Sequence, residues 1–169
     1  YRAVDGLRKE EFEKIMICKP VEIGRSMGYL PGATEKIDPY AKSFYDNLAK
    51  LVGKDRVPHI KSKIEFNAVN FVRGNTFDDN SVIILSEAQN LTLHEIISFV
   101  TRLPESSKLF INGDLHQSDI KNSGLPAFLE IIEGIDGIQT IYLDSSFQMR
   151  NKMITTITKN YYKYLKRDR

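Results

Sequence analysis

Three segments of the sequence end in side chains suited to phosphoryl chemistry. In SVIILSEAQN the apolar run Val82-Ile83-Ile84-Leu85 gives way to Ser86-Glu87-Ala88-Gln89-Asn90. Such a run reads as a strand covered on both faces, and in an α/β sheet the carboxyl end of a strand opens on the ligand crevice. Glu87 is therefore placed to meet a divalent cation and a γ-phosphate, and to act as a general base on water. The plain alternative is a surface glutamate after a core strand. In LFINGDLHQSD a second apolar strand enters a polar turn holding Gly113, Asp114, Gln117 and Asp119. Parallel strands deliver their ends to one edge, so Gln117 and Glu87 are expected to converge, with Gln117 orienting water or sensing a γ-phosphate. A Gly-Asp turn with a solvated glutamine explains the segment equally well. A nuclease built on Asp114 and Asp119 lacks a third acidic partner at convincing spacing. In LDSSFQMRNKM, Arg150 opens the last helix, where a guanidinium can offset charge developing on a transferring phosphoryl group. Arg73 in FVRGNTF ends a strand and is suited to a neighbouring subunit's nucleotide or to a nucleic-acid phosphate.

The elements that must position these residues follow from hydrophobic rhythm. Short β-branched runs predict strands at about 14–19, 64–72, 81–86, 107–112 and 138–143, alternating with helical periods at about 2–12, 40–53, 92–103, 122–133 and 147–165. Thr92 followed three residues on by Glu95 is a capping-box pattern for the third helix. Alternation of this kind implies an α/β fold, a mainly parallel sheet with helices on both faces. With no low-complexity linker and no internal repeat, residues 1–169 read as a single domain. The stretch GYLPGATEKIDPYAKSFYDNL reads as a long loop opening an amphipathic helix whose core face is Phe44, Leu48, Leu51 and Val52.

Composition narrows the class. A chain of 169 residues, 41% hydrophobic and 27% charged, can bury a core without staples and has neither a disordered nor a fibrous profile. Its apolar runs are far shorter than the roughly 18 residues of a membrane span. One cysteine, Cys18, and three scattered histidines exclude an internal disulfide and a zinc cluster. The expectation is a cytoplasmic protein without a membrane partner. A net charge of +2 does not argue for nucleic acid by itself, but KNYYKYLKRDR gathers Lys159, Lys163, Lys166, Arg167 and Arg169 around three tyrosines.

Taken in order, CKPVEIGRSMGYLPGATEKIDPYAKSFYDNL, VNFVRGNTF, VIILSEAQN, TRLPESSKLFINGDLHQSD and SSFQMRNKM resemble the PhoH-like ATPase family, the phosphate-starvation-inducible proteins of bacteria and phages. The likeness spans about residues 1–165. It implies a RecA-like P-loop NTPase domain related to the first domain of superfamily 1 helicases, using ATP and Mg2+. By this likeness Glu87 falls on the Walker B glutamate, Gln117 on the glutamine of the GDxxQ motif, and Arg150 on the arginine shortly after the last strand; Gln117 and Arg150 then also face the nucleotide. Ser86 stands where the family has Asp, so that, with Glu87, a neutral oxygen takes the place of a carboxylate as metal ligand. Lys19, before Pro20, stands where the family has an arginine, and with Arg73 it is a candidate contact to nucleic acid. The family's G-x-x-x-x-G-K-[ST] loop has no counterpart, and YRAVDGL looks like the residues that follow that loop. The resemblance thus implies a missing P-loop strand and Walker A loop upstream of Tyr1, or else a degenerate member. The function it implies is ATP hydrolysis coupled to RNA or single-stranded DNA in a helicase-like manner, by a ring of subunits such as a hexamer. The alternative is a non-catalytic nucleotide- or nucleic-acid-binding and assembly module.

Overall fold

Side-chain alternation along two central strands sorts the molecule into two faces. The computed structural model describes residues 1–20, 33–69, 76–143 and 152–165. In β1 (Lys14–Lys19), Ile15 and Ile17 join one apolar cluster, whereas Met16 and Cys18 join another; in β3 (Ser81–Leu85), Val82 and Ile84 part from Ile83 and Leu85 in the same way. Successive strand residues point to opposite faces, so a continuous apolar run is what a strand with two covered faces requires. With β2 (Ile64–Ala68) and β4 (Lys108–Ile111) they form a four-stranded, wholly parallel sheet in the order β2-β1-β3-β4.

One face is covered by α1 (Arg2–Arg8), α2 (Ala33–Val52) and α3 (Val57–Lys61), which bring Val4, Leu7, Leu48 and Ile60 onto Ile15, Ile64 and Val82. Phe44 and Tyr45 of α2 meet Phe66 edge-on, with ring centroids 5.4 and 5.5 Å away. The other face is covered by α4 (Leu93–Val100) and α5 (Leu125–Ile131), whose Ile96, Phe99, Leu125 and Phe128 pack on Met16, Ile83 and Leu85. Thr92 caps α4 in a full capping box with Glu95, as its spacing predicts.

Contacts divide the chain into two compact units, Tyr1–Glu133 and Gly134–Arg169. The second contains α6 (Lys152–Leu165) and the segment 138–143. That segment is expected to be a strand and is not one: Ile141, Tyr142 and Leu143 are exposed, and no ladder partner serves them among the described residues. β-propensity is realised only where a neighbouring strand satisfies the backbone, and a sequence run cannot supply that neighbour by itself. Two smaller corrections concern α2. It starts at Ala33, taking in Glu35-Lys36 and Asp38-Pro39 where a loop is expected, since a proline removes one ladder bond without ending every helix. Leu51 is exposed, whereas Phe44, Leu48 and Val52 pack as expected.

Candidate functional site

The carboxyl ends of β3 and β4 are stitched together before any helix begins. Asn112 N–H donates to the Leu85 carbonyl at 2.9 Å, Ala88 N–H donates to the Asn112 carbonyl at 3.0 Å, and Ser86 N–H donates to the Cys18 carbonyl at 2.9 Å. The chain then turns sharply: Glu87 adopts a left-handed conformation, φ 58° and ψ 41°, ahead of a 3-10 turn at Ala88–Asn90. A non-glycine residue there carries backbone strain that the surroundings must offset. Asn112 contributes to that offset, its Oδ1 accepting from Glu87 N–H at 3.2 Å.

Gln89 is the centre of the arrangement. It is only 2% exposed, a buried polar residue between the core residues Ala88 and Leu91 in sequence. Its Nε2 donates to Glu87 Oε2 at 2.7 Å and to the Gln117 carbonyl at 3.4 Å; its Oε1 accepts from Asp114 N–H at 3.1 Å. Gly113 makes room for this amide, because a Cβ there would stand 2.9 Å from Gln89 Oε1 and 2.7 Å from Leu125 Cδ2. Further along, Asn90 and Asp119 exchange bonds of 2.9 and 2.8 Å, Ser118 Oγ donates to the Gln89 carbonyl at 3.0 Å, and Gly124 N–H donates to the Leu91 carbonyl at 2.7 Å. The loop from Asn112 to Gly124 is thus laid along residues 85–91.

The residues expected at the site differ in where they fall. Ser86 and Glu87 stand, partly buried, at the end of β3. Gln117 lies on the loop after β4, its exposed side chain donating through Nε2 to Asp114 Oδ2 at 2.8 Å, while Asp114 Oδ1 accepts from His116 N–H at 2.9 Å. The Gln89 amide reaches both the Glu87 carboxylate and the Gln117 backbone carbonyl, while the Gln117 side chain turns to Asp114. Lys19 is the last residue of β1, on that same carboxyl edge. Arg73 and Arg150 lie outside the described residues, as do Lys166, Arg167 and Arg169 of the basic tail; Lys163 is exposed on α6. Asp114 and Asp119 are engaged in turn and loop bonds, and no group of three His, Cys, Asp or Glu able to hold a metal is found among the described residues. Ser86 and Glu87 instead supply a hydroxyl and a carboxylate, oxygen donors of the kind that join a Mg2+ taking its other ligands from phosphates and water. Beneath the edge, burial pushes the Cys18 thiol up to about 12 from an ordinary 9.0.

Two contributors escape a reading of the sequence, Gln89 and Asn112. The available signal was a polar residue between Ala88 and Leu91, both of which are core residues. Buried amides of this kind are held by complete hydrogen bonding.

A parallel sheet covered on both faces, with an acidic and amide network at its carboxyl edge, defines an α/β domain of the RecA-like P-loop NTPase class. The chain belongs to the PhoH family: the family model described as PhoH-like protein matches residues 1–162. It is 38% identical over 167 residues to the "PhoH-like protein" of Bacillus subtilis (strain 168), covering 95% of this chain and 52% of that protein. It is 36% identical over 174 residues to the "PhoH-like protein" of Mycobacterium leprae (strain TN), covering 99% and 50%. To "Protein PhoH" of Escherichia coli (strain K12) it is 35% identical over 142 residues, covering 78% and 40%. The chain spans about half the length of the relatives it matches. No helix among the described residues is long and apolar enough to cross a membrane.

Proposed function

We propose that this chain is the ATPase portion of a PhoH-like protein that couples ATP hydrolysis to binding or remodelling of RNA or single-stranded DNA. The observation that supports this most is the Glu87 carboxylate, held at the end of a central parallel strand by a buried amide. Glu87 accepts a proton from water as the water oxygen bonds to the γ-phosphorus; the bond from that phosphorus to the bridging oxygen breaks, and ADP leaves with the electron pair. Ser86 and Glu87 offer oxygens to Mg2+, which when bound offsets charge on the phosphates. Gln117 orients the water, and Arg73 or Arg150 stabilises the developing charge, reaching across from a neighbouring subunit of a ring. Lys19 and Arg73 contact the nucleic-acid backbone.

The experiment compares the whole natural protein with Glu87→Gln. Loss of a positioned base should lower kcat by roughly 10²-fold or more, with ATP binding retained. Full turnover in the variant, or parallel loss of binding and turnover, would contradict the role. A second reading, a non-catalytic assembly module, is favoured by the neutral Ser86 at a metal-ligand position. It predicts nucleotide binding with no turnover in the parent protein itself.

A further inference from the structure

The bonds that Gln89 makes differ in what they demand of it. Toward Glu87 it must donate; toward Asp114 it must accept. A carboxamide does both through separate atoms, Nε2 donating and Oε1 accepting, and this one is 2% exposed, so neither bond is readily exchanged for water. The Glu87 backbone is in the left-handed region, where the local conformation is not a low-energy default and the carboxylate depends on partners for its place. Among the described residues Glu87 Oε2 has this bond, while Oε1 is left for other chemistry. The same amide nitrogen reaches the Gln117 carbonyl. Gln89 therefore ties the Glu87 carboxylate itself to the 113–117 loop, beside the Asn112 bonds to the backbone of residues 87 and 88, and Gly113 admits it by having no Cβ.

Resting on the hydrolytic reading above, we propose that Gln89 is the positioning residue of this site: it holds Oε2 of Glu87, leaves Oε1 clear of partners among the described residues for the water and Mg2+ of the reaction, and sets the distance between Glu87 and the Gln117 loop. Gln89 does not touch the reacting atoms.

The test uses the whole natural protein carrying Gln89→Glu. The introduced carboxylate keeps an acceptor for Asp114 N–H, so slow hydrogen exchange at the Asp114 amide persists. Toward Glu87, however, it replaces a donor by a like charge. Removing a hydrogen bond to an ionised group should lower kcat about 10-fold or more at neutral pH, with KM for ATP little changed. Gln89→Met keeps volume without either bond and should lose kcat in the same sense. In the Glu87→Gln background Gln89→Met should lower kcat no further, because the carboxylate it positions is gone, whereas a merely structural role would lower it again. A parent that turns over beside a Gln89→Met protein of equal kcat, or a loss in the double variant as large as in the parent background, overturns the positioning role alone. A parent without turnover overturns the hydrolytic reading and this role with it.

Discussion

The two ends of the sheet are both tied by side-chain hydrogen bonds, yet by opposite means. At the amino end, Lys14 of β1 bridges Glu65 of β2 at 3.2 Å and Asp78 at 2.6 Å, with all three side chains 41–53% exposed. Donation to Asp78, and next to Glu65, raises the Lys14 pKa from its ordinary value. Nearby, Ser81 and Ser107 share the Asp78 carbonyl, and Asn80 takes up a positive φ of 53°, a conformation asparagine tolerates well. At the carboxyl end the strained residue is a glutamate, the central amide is buried, and two glycines sit where a Cβ would collide. Water can stand in for most of the first set of contacts and for few of the second. The amino end fastens strands; the carboxyl end holds charged and amide groups in one arrangement at some expense in strain.

Substitutions can break that contrast. The largest stability effect is expected at Gly124, where a Cβ would fall against the Leu93 backbone at the start of α4. Backbone cannot yield as a flexible side chain can, so Gly124→Ala should cost about 3 kcal/mol, read as a lowered urea midpoint with an unchanged slope. A neutral outcome would mean that the loop is not seated on residues 91–93.

An intermediate effect belongs to Cys18. Its thiol titrates near 9.0 when unfolded and near about 12 when folded, so the unfolded chain releases its proton first. The contribution to stability is complete below pH 9 and is lost as pH rises toward 12. Folded protein at pH 8 should resist a thiol-alkylating reagent, with modification following unfolding, and Cys18→Ala should flatten part of the alkaline decline in stability. Rapid alkylation of the native chain would show that the floor of the carboxyl end is wetter than its burial implies.

The smallest effect is expected for Lys14→Ala. Exposed ion pairs are weakened by solvent screening. The thermal midpoint should fall by less than for Gly124→Ala, and the difference from the parent should shrink as salt is added. A loss as large as that of Gly124→Ala would erase the distinction between the two ends.

Much of this architecture is written in local pattern. The runs KIMICK and SVIIL announce strands covered on both sides because both faces of a central parallel strand must be apolar. Thr92 and Glu95 announce the start of α4 because a capping box is satisfied within four residues. Glu87 stands out because a charged residue two positions past such a run has to leave the core. The segment 138–143 has the same local character as the true strands, and it fails because a strand needs a partner for its backbone, which is a property of the sheet and not of the run. Likewise Gln89 looks no different in type from the polar residues Glu87 and Asn90 beside it in SEAQN. The space for its amide depends on Gly113, and its bonds depend on Asp114 and Gln117 arriving on the loop after β4. What the sequence determined by itself was therefore which segments form the layers and which acid ends the central strand. The tertiary structure alone decided the left-handed turn at Glu87 and the amide that holds its carboxylate, because both exist only where β3 and β4 lie side by side.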